Sequence, residues 1–417
     1  MTAPADAHEL VTAVAGYGLP AAGPAGPGGH EQGPAGPGGH KQGPAGPGGH
    51  KQGLEAPAKD ARLPDARLPS DVWAALLAHC RSQRLTGFLA LAVREGALAT
   101  GPDQAAQANT AHREAMGTVL LLERLLLDTA DLLTGEGIAV RALKGSSLAH
   151  LDYPAPELRS FGDVDLLVRS EQFDDAVAAL SDAGHRRRYP QPRPGFDRRF
   201  SKGTSFVTDK GTEIDLHRTF VMGPFGLTMK LDDLWARAST FCVGGVDLVA
   251  LGREERFLHT CFHASLGDNP PRLLAMRDVA QVLLDGRLDL HLVRALAASW
   301  QADAVLARAV QLTWQAFRLD AAGSPLAAWA VRYRPDHYER RALAAYTDPH
   351  GGYSARSAAA LRAVPGVRDK AAYLRALAFP ARDYVDPRHN GRVDRWRHGI
   401  TAILRRESSG PARAGQR

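Results

Sequence analysis

Cysteine is scarce in this chain. The three present, Cys80, Cys242 and Cys261, stand far apart and form no Cys-x-x-Cys pair, which excludes a disulfide scaffold and points to a reducing compartment. Long apolar runs are missing as well. The most apolar stretch, residues 119–127, is broken by Glu123 and Arg124 and falls far short of the roughly 20 apolar residues that span a bilayer. The opening MTAPADAHELV has neither a basic cluster nor a long apolar core, so no secretory leader, no membrane partner and a cytoplasmic location are expected. Lysine is sparing beside alanine, arginine, glycine and leucine, a bias expected of a high-GC bacterial gene.

What is present is ordinary for a folded protein: 417 residues, 44% hydrophobic and 23% charged, enough for two or three domains. The net charge of +6 and pI near 9.3 suit a polyanionic ligand such as an NTP or a nucleic acid. Residues 1–69 read as a disordered tail. GPAGPGGHEQ and two copies of GPAGPGGHKQ fill residues 23–52, and DARLP then appears twice. A tract so rich in Gly and Pro cannot bury enough apolar surface to offset its ordering entropy. A ten-residue repeat also breaks the Gly-X-Y phase of collagen. His30, His40 and His50 recur once per copy, but nothing fixes them as metal ligands.

Beyond the tail, periodicity divides the chain into a helical segment over 70–134, an α/β core over 135–220, a helical domain over 221–330 and a helical or irregular region over 331–417. A long amphipathic helix is predicted at 111–133, strands at 138–143 and 163–168, and a helix at 171–183. A hairpin follows with arms at 204–208 and 212–219, then a short strand within 244–252, and helices at 358–378.

The chemistry concentrates in three short stretches. In RSFGDVDLLV, residues 159–168, Asp163 and Asp165 lie one residue apart, so on a strand both carboxylates face the same way. Such a pair repels unless a cation or proton joins it, and Mg²⁺ favours one or two carboxylates plus phosphate oxygens. Upstream, LKGSS closes the apolar run Ile138, Ala139 and Val140; Gly145 lets backbone approach a phosphate, and the next helix opens at the serines. Downstream, in GTEIDLH, Ile214 and Leu216 alternate with Glu213, Asp215 and His217, which puts a third acid on a strand.

A strand, a Gly-Ser turn, a helix, D-x-D on a strand and one further strand acid together resemble the polymerase-β-like nucleotidyltransferase superfamily. The resemblance is nearer to an uncharacterised bacterial nucleotidyltransferase family, carried by Leu143-Lys144-Gly145, Tyr153-Pro154, Arg159 and Asp163-Val164-Asp165-Leu166-Leu167-Val168 over about residues 125–284. The gap from Gly145-Ser146 to Asp163 is longer than in the better-known superfamily members. The resemblance implies an α/β (α+β) fold, with a small mixed-sheet core flanked by helices plus a helical domain. It implies Mg²⁺- or Mn²⁺-dependent transfer of an NMP from an NTP to an unidentified hydroxyl acceptor: a small molecule, a peptide, a protein or a tRNA end. Asp163 and Asp165 would bridge two metals; Asp215 would complete the second site and take the acceptor's proton. Lys144, Gly145, Ser146, Ser147 and Arg159 would contact the nucleotide.

Other features carry competing readings. Arg186, Arg187, Arg188, Arg193, Arg198 and Arg199 crowd the loop before the hairpin and could hold an anionic acceptor, even RNA, although solvated charge is favoured because no aromatics interleave. His259 and His263 flank Cys261 at helical spacing, but lack the Glu of a zinc motif and a third ligand. Asp278 matches a family position and is expected to brace the site from the helical domain. Three alternatives remain open: a catalytically inactive nucleotide-binding protein, a toxin–antitoxin component that nucleotidylates a partner, and a scaffold.

Overall fold

The computed structural model describes residues 7–20, 63–348, 353–381 and 384. A mixed seven-stranded sheet lies at its centre, in the order β3-β4-β5-β2-β1-β7-β6. The strands are β1 (Val140–Ala142), β2 (Val164–Val168), β3 (Arg186–Arg187), β4 (Gly203–Val207), β5 (Glu213–His217), β6 (Ala238–Val243) and β7 (Val246–Leu251). Before and within the sheet come α1 (Ala7–Gly16), α2 (Ser70–Ser82), α3 (Thr86–Arg94), α4 (Pro102–Gly135), α5 (Lys144–Leu151), α6 (Phe173–Asp182) and the short α7 (Asp197–Phe200), α8 (Pro224–Thr228) and α9 (Asp233–Ala236). After it come α10 (Arg253–Leu266), α11 (Leu273–Leu284), α12 (Leu290–Ser299), α13 (Asp303–Phe317), α14 (Pro325–Arg332), α15 (His337–Thr347), α16 (Tyr353–Ala363) and α17 (Val367–Ala378). The chain therefore has the α/β class expected, with helices around a mixed sheet.

β2 is the centre of the sheet, antiparallel to β1 and parallel to β5. All five of its residues are buried, and a strand covered on both faces must be apolar on both. Val164, Leu166 and Val168 pack on Leu122 and Leu126 of α4 and on Phe173 and Leu180 of α6. Leu167, on the other face, packs with Phe257, Leu258 and Cys261 of α10. Asp165 shares the face of Leu167, so its carboxylate is directed to the α10 side. The long helix starts earlier than residue 111 because Pro102 occupies its first turn, where a missing N–H costs nothing; the Gln104 side chain accepts the Gly101 N–H at 3.2 Å.

The sheet extends beyond residues 135–220. β6 and β7 form a hairpin whose turn residues, Gly244 and Gly245, have φ of 57° and 86°, the conformation that tight hairpins require. β7 then adds to β1 in parallel.

One expectation is corrected. Residues 7–20, assigned above to a disordered tail, contain helix α1, which buries Leu10, Val11, Val14 and Ala15 against α2, α3 and α11. Arg277 of α11 donates to the carbonyls of Ala15 and Tyr17, both at 2.6 Å, and stacks over Phe88. The apolar stripe of AHELVTAVAG was hidden because the repeats dominate the composition of the first 69 residues. Those repeats, with His30, His40 and His50, and the C-terminal SSGPARAGQR lie outside the described residues. If α1 is part of the core, Leu10→Ala should cost about 2–5 kcal/mol in urea unfolding of the full chain. An unchanged midpoint would mean that the helix is a loose appendage.

Among the described residues, no helix is long and apolar enough to cross a membrane. The C-terminal α16 and α17 pack Ala360, Val364, Tyr373 and Ala376 on Phe196 and Phe200 of the Arg-rich loop.

Candidate active site

The parallel register of β2 and β5 sets Asp165 directly beside Asp215. Alternation on β5 then puts His217 on the same face as Asp215, two residues on. Ligand atoms of Asp165, Asp215 and His217 all lie within 4.8 Å of one another, a group able to hold a metal ion. Asp163 stands just outside the strand and lines a cavity of about 170 Å³ together with Asp165, Lys144, Gly145 and Arg159. Of the expected acids, then, Asp165 and Asp215 converge with His217, and Asp163 borders the same space.

The charges are tightly coupled. Asp165 is 4% exposed and its Oδ1 accepts from Lys144 Nζ at 2.9 Å and from His217 Nε2 at 2.7 Å. Burial alone would raise its pKa, but Lys144 and His217 reverse this and hold it well below the usual carboxylate range. Burial and the neighbouring Asp165 push Asp163 upward, against Lys144 and Arg84. Burial disfavours the Lys144 ammonium, yet Asp165 and Asp163 outweigh it and raise its pKa. Burial, then Lys202, lowers His217. A carboxylate cannot donate, so the neutral imidazole carries its proton on Nε2; its Nδ1 is buried without a hydrogen-bond partner among the described residues. Asp215 accepts from Ser205 Oγ and has Lys202 Nζ at 3.6 Å.

The donor set fits a hard divalent cation. Two carboxylates in register and a third nearby supply the oxygen ligands that Mg²⁺ or Mn²⁺ takes, while His217 Nε2 donates to Asp165 and orients it. The two ammonium groups already drawn to Asp165 and Asp215 show that these carboxylates demand positive charge.

The LKGSS turn is sharp. Lys144 has φ 37° and Gly145 departs from helical geometry at φ 5°, ψ −102°. A Cβ on Gly145 would come within 3.1 Å of the Phe161 ring, which would have to give by a few tenths of an ångström. The serine hydroxyls turn into the protein: Ser146 donates to Glu123 of α4 at 3.1 Å, and Ser147 to the Lys144 carbonyl at 2.9 Å. His150 also bonds Glu123, at 2.8 Å.

Arg159 is committed to a buried pair rather than to Glu157 or Asp163. Its Nε and Nη2 donate to Asp278 Oδ1 and Oδ2 at 2.8 and 2.7 Å, its Nη1 donates to the Gly145 carbonyl at 3.2 Å, and Tyr153 Oη donates to the same Asp278 at 2.6 Å. Sequence reasoning missed Arg84 and Arg272, which also line the cavity; both lie just outside helices, where no periodicity marks them. His263 lines the cavity, whereas His259 stacks on Phe220 at 4.3 Å, and neither joins a group of three metal-ligating side chains among the described residues.

Much of the Arg-rich loop is paired within the protein. Arg187 pairs with Asp197, Arg188 with Glu213 at 2.8 Å, Arg198 with Asp174 at 3.1 Å and Arg199 with Asp369 at 2.5 Å, while Arg193 donates to the Phe379 carbonyl at 2.6 Å. Four of the six loop arginines thus have a carboxylate partner, three of them in half-exposed pairs.

Comparison with known proteins adds two findings. A family model described as an uncharacterised nucleotidyltransferase matches residues 69–318, more than half of the chain. The crystal structure of an antigenic nucleotidyltransferase-like protein from Paracoccidioides brasiliensis is similar at 14% identity and a TM-score of 0.26, covering 45% of this chain and 92% of that one. A search of curated proteins returns no match.

Proposed function

From the premise that the chain belongs to the uncharacterised nucleotidyltransferase family, we propose that it moves an NMP from an NTP to a hydroxyl acceptor, with Mg²⁺ or Mn²⁺ as cofactor. The observation that carries this reading is the in-register pair Asp165 and Asp215 on adjoining strands, with Asp165 lining a cavity that four cationic side chains also line.

In the reaction the acceptor oxygen bonds to the α-phosphorus and the bond to pyrophosphate breaks. Asp165 and Asp215, with Asp163 beside them, would hold the cation, whose charge offsets that of the triphosphate, and His217 would orient Asp165. Asp215 is the more open of the two strand acids, its side chain 19% exposed against 2% for Asp165, and is the candidate to take the acceptor's proton. Lys144 keeps Asp165 ionised and adds positive charge on the phosphate side. Arg159 acts through the Gly145 carbonyl by holding the turn against β2. Positioning and charge do most of the work in such transfers. The acceptor class is a small molecule, a peptide or a protein.

The test is incubation of the full chain with each α-³²P-labelled NTP, Mg²⁺ or Mn²⁺ and a host lysate. Label should become covalently attached with release of one pyrophosphate per event. Metal-dependent binding without pyrophosphate would favour an inactive nucleotide-binding protein. An absence of metal-dependent NTP binding would sink the reading.

A further inference from the structure

We propose that the triphosphate is gripped by Arg84 and Arg272, two arginines from the flanking helical segments, and not by the serine hydroxyls of LKGSS. This rests on the nucleotidyltransferase reading and names the residues of its phosphate subsite.

Four cations line the cavity: Arg84, Lys144, Arg159 and Arg272. Two are already satisfied, Lys144 by Asp165 at 2.9 Å and Arg159 by both oxygens of Asp278. The other two are not. The carboxylate paired with Arg84 is Asp163 at 3.8 Å, beyond hydrogen-bond reach, and that acid is itself a candidate to turn to a cation. Among the described residues the carboxylate partner of Arg272 is Asp268, at 2.9 Å and also on the cavity wall, both side chains more than 40% exposed, an arrangement that contributes little. An anion entering the cavity therefore meets two guanidiniums with donors to spare, in the planar geometry that suits phosphate oxygens. The serine hydroxyls are engaged with Glu123 and the Lys144 carbonyl.

Arg84 is also held in place for such a role. It occupies the sharp break between α2 and α3 with φ 58°, a conformation that non-glycine residues adopt at a cost and keep mainly where function needs it. Its carbonyl accepts from Ser160 Oγ at 3.3 Å. Its guanidinium lies on Gly162, where an added Cβ would come within 2.4 Å of Nη2. Burial lowers its basicity, with Asp163 opposing and the repulsion of Arg272 and Arg159 adding to the fall.

The experiment is calorimetric titration of the full chain with inorganic tripolyphosphate and Mg²⁺. Arg84→Gln and Arg272→Gln should each weaken binding by about tenfold or more. Gly162→Ala, which keeps every charge but crowds the Arg84 guanidinium, should weaken it too, while Arg188→Gln, remote from the cavity, should not. Arg272 is half-exposed, so its variant tests the proposal even if Arg84→Gln melts early. Wild-type affinity in both arginine variants would overturn the proposal and leave the nucleotidyltransferase reading intact, as would a greater loss in Ser146→Ala than in either. If the wild-type chain binds neither tripolyphosphate nor any NTP, both fall together.

Discussion

Asp165→Asn should reduce NMP transfer by on the order of 10³-fold or more, because it removes charge at the point where the transferring group needs it most. The substitution has a second effect. Asp165 is the 2.9 Å partner of Lys144 and the 2.7 Å partner of His217. Asparagine can still accept one hydrogen bond, but it leaves the ammonium with Asp163 and Asp215 for compensation and no ion pair of its own, so a fall in melting temperature is expected alongside the loss of activity. Asp215→Asn separates the two effects. That side chain is more open and sits 3.6 Å from Lys202, itself 36% exposed, so its neutralisation should barely move stability while transfer is lost as completely. Single-turnover transfer of α-label, read beside Mn²⁺ binding by electron paramagnetic resonance, measures both. Transfer within tenfold of wild type in either variant would remove that residue from the proposed role.

How much of this could be read from the chain depends on whether a feature is local. The alternation in EIDLH and the D-x-D-L-L-V run each obey a period of two over a few residues, so the strands, their buried faces and the convergence of Asp215 with His217 were legible. Gly145 was legible as a point of close backbone approach, although the group approaching it is the Phe161 ring. What a local pattern cannot encode is a partner far away in sequence. Arg159 finds Asp278 in α11, Ser146 finds Glu123 in α4, and Arg84 reaches the cavity from the break after α2. The Arg-rich loop, favoured as solvated charge over an acceptor groove, hid its pairing for the same reason: its carboxylate partners, Asp174, Glu213 and Asp369, lie on three other elements. Helix α1 was lost to averaging, since ten amphipathic residues were weighed together with the repeats that follow.

The largest effect on stability is expected at Asp278. Its carboxylate accepts two bonds from the Arg159 guanidinium and one from the Tyr153 hydroxyl, and all three groups are buried. Asp278→Ala would leave a guanidinium only 3% exposed with the Gly145 carbonyl as its remaining acceptor. Breaking a buried pair from one side costs about 3–5 kcal/mol, whereas replacing both partners with apolar groups of similar volume is often near neutral. Arg159→Met combined with Asp278→Leu should therefore unfold at higher urea than either Asp278→Ala or Arg159→Ala, with the slope of the transition unchanged. Tyr153→Phe, which removes one neutral donor, should cost about 1 kcal/mol. The pair also joins α11 to the turn that carries Lys144, so the double apolar variant should stay folded and yet transfer poorly, having lost the grip on Gly145. If Asp278→Ala unfolds at the wild-type urea midpoint, the pair is not closed in solution, and the LKGSS turn must be held by something other than Arg159.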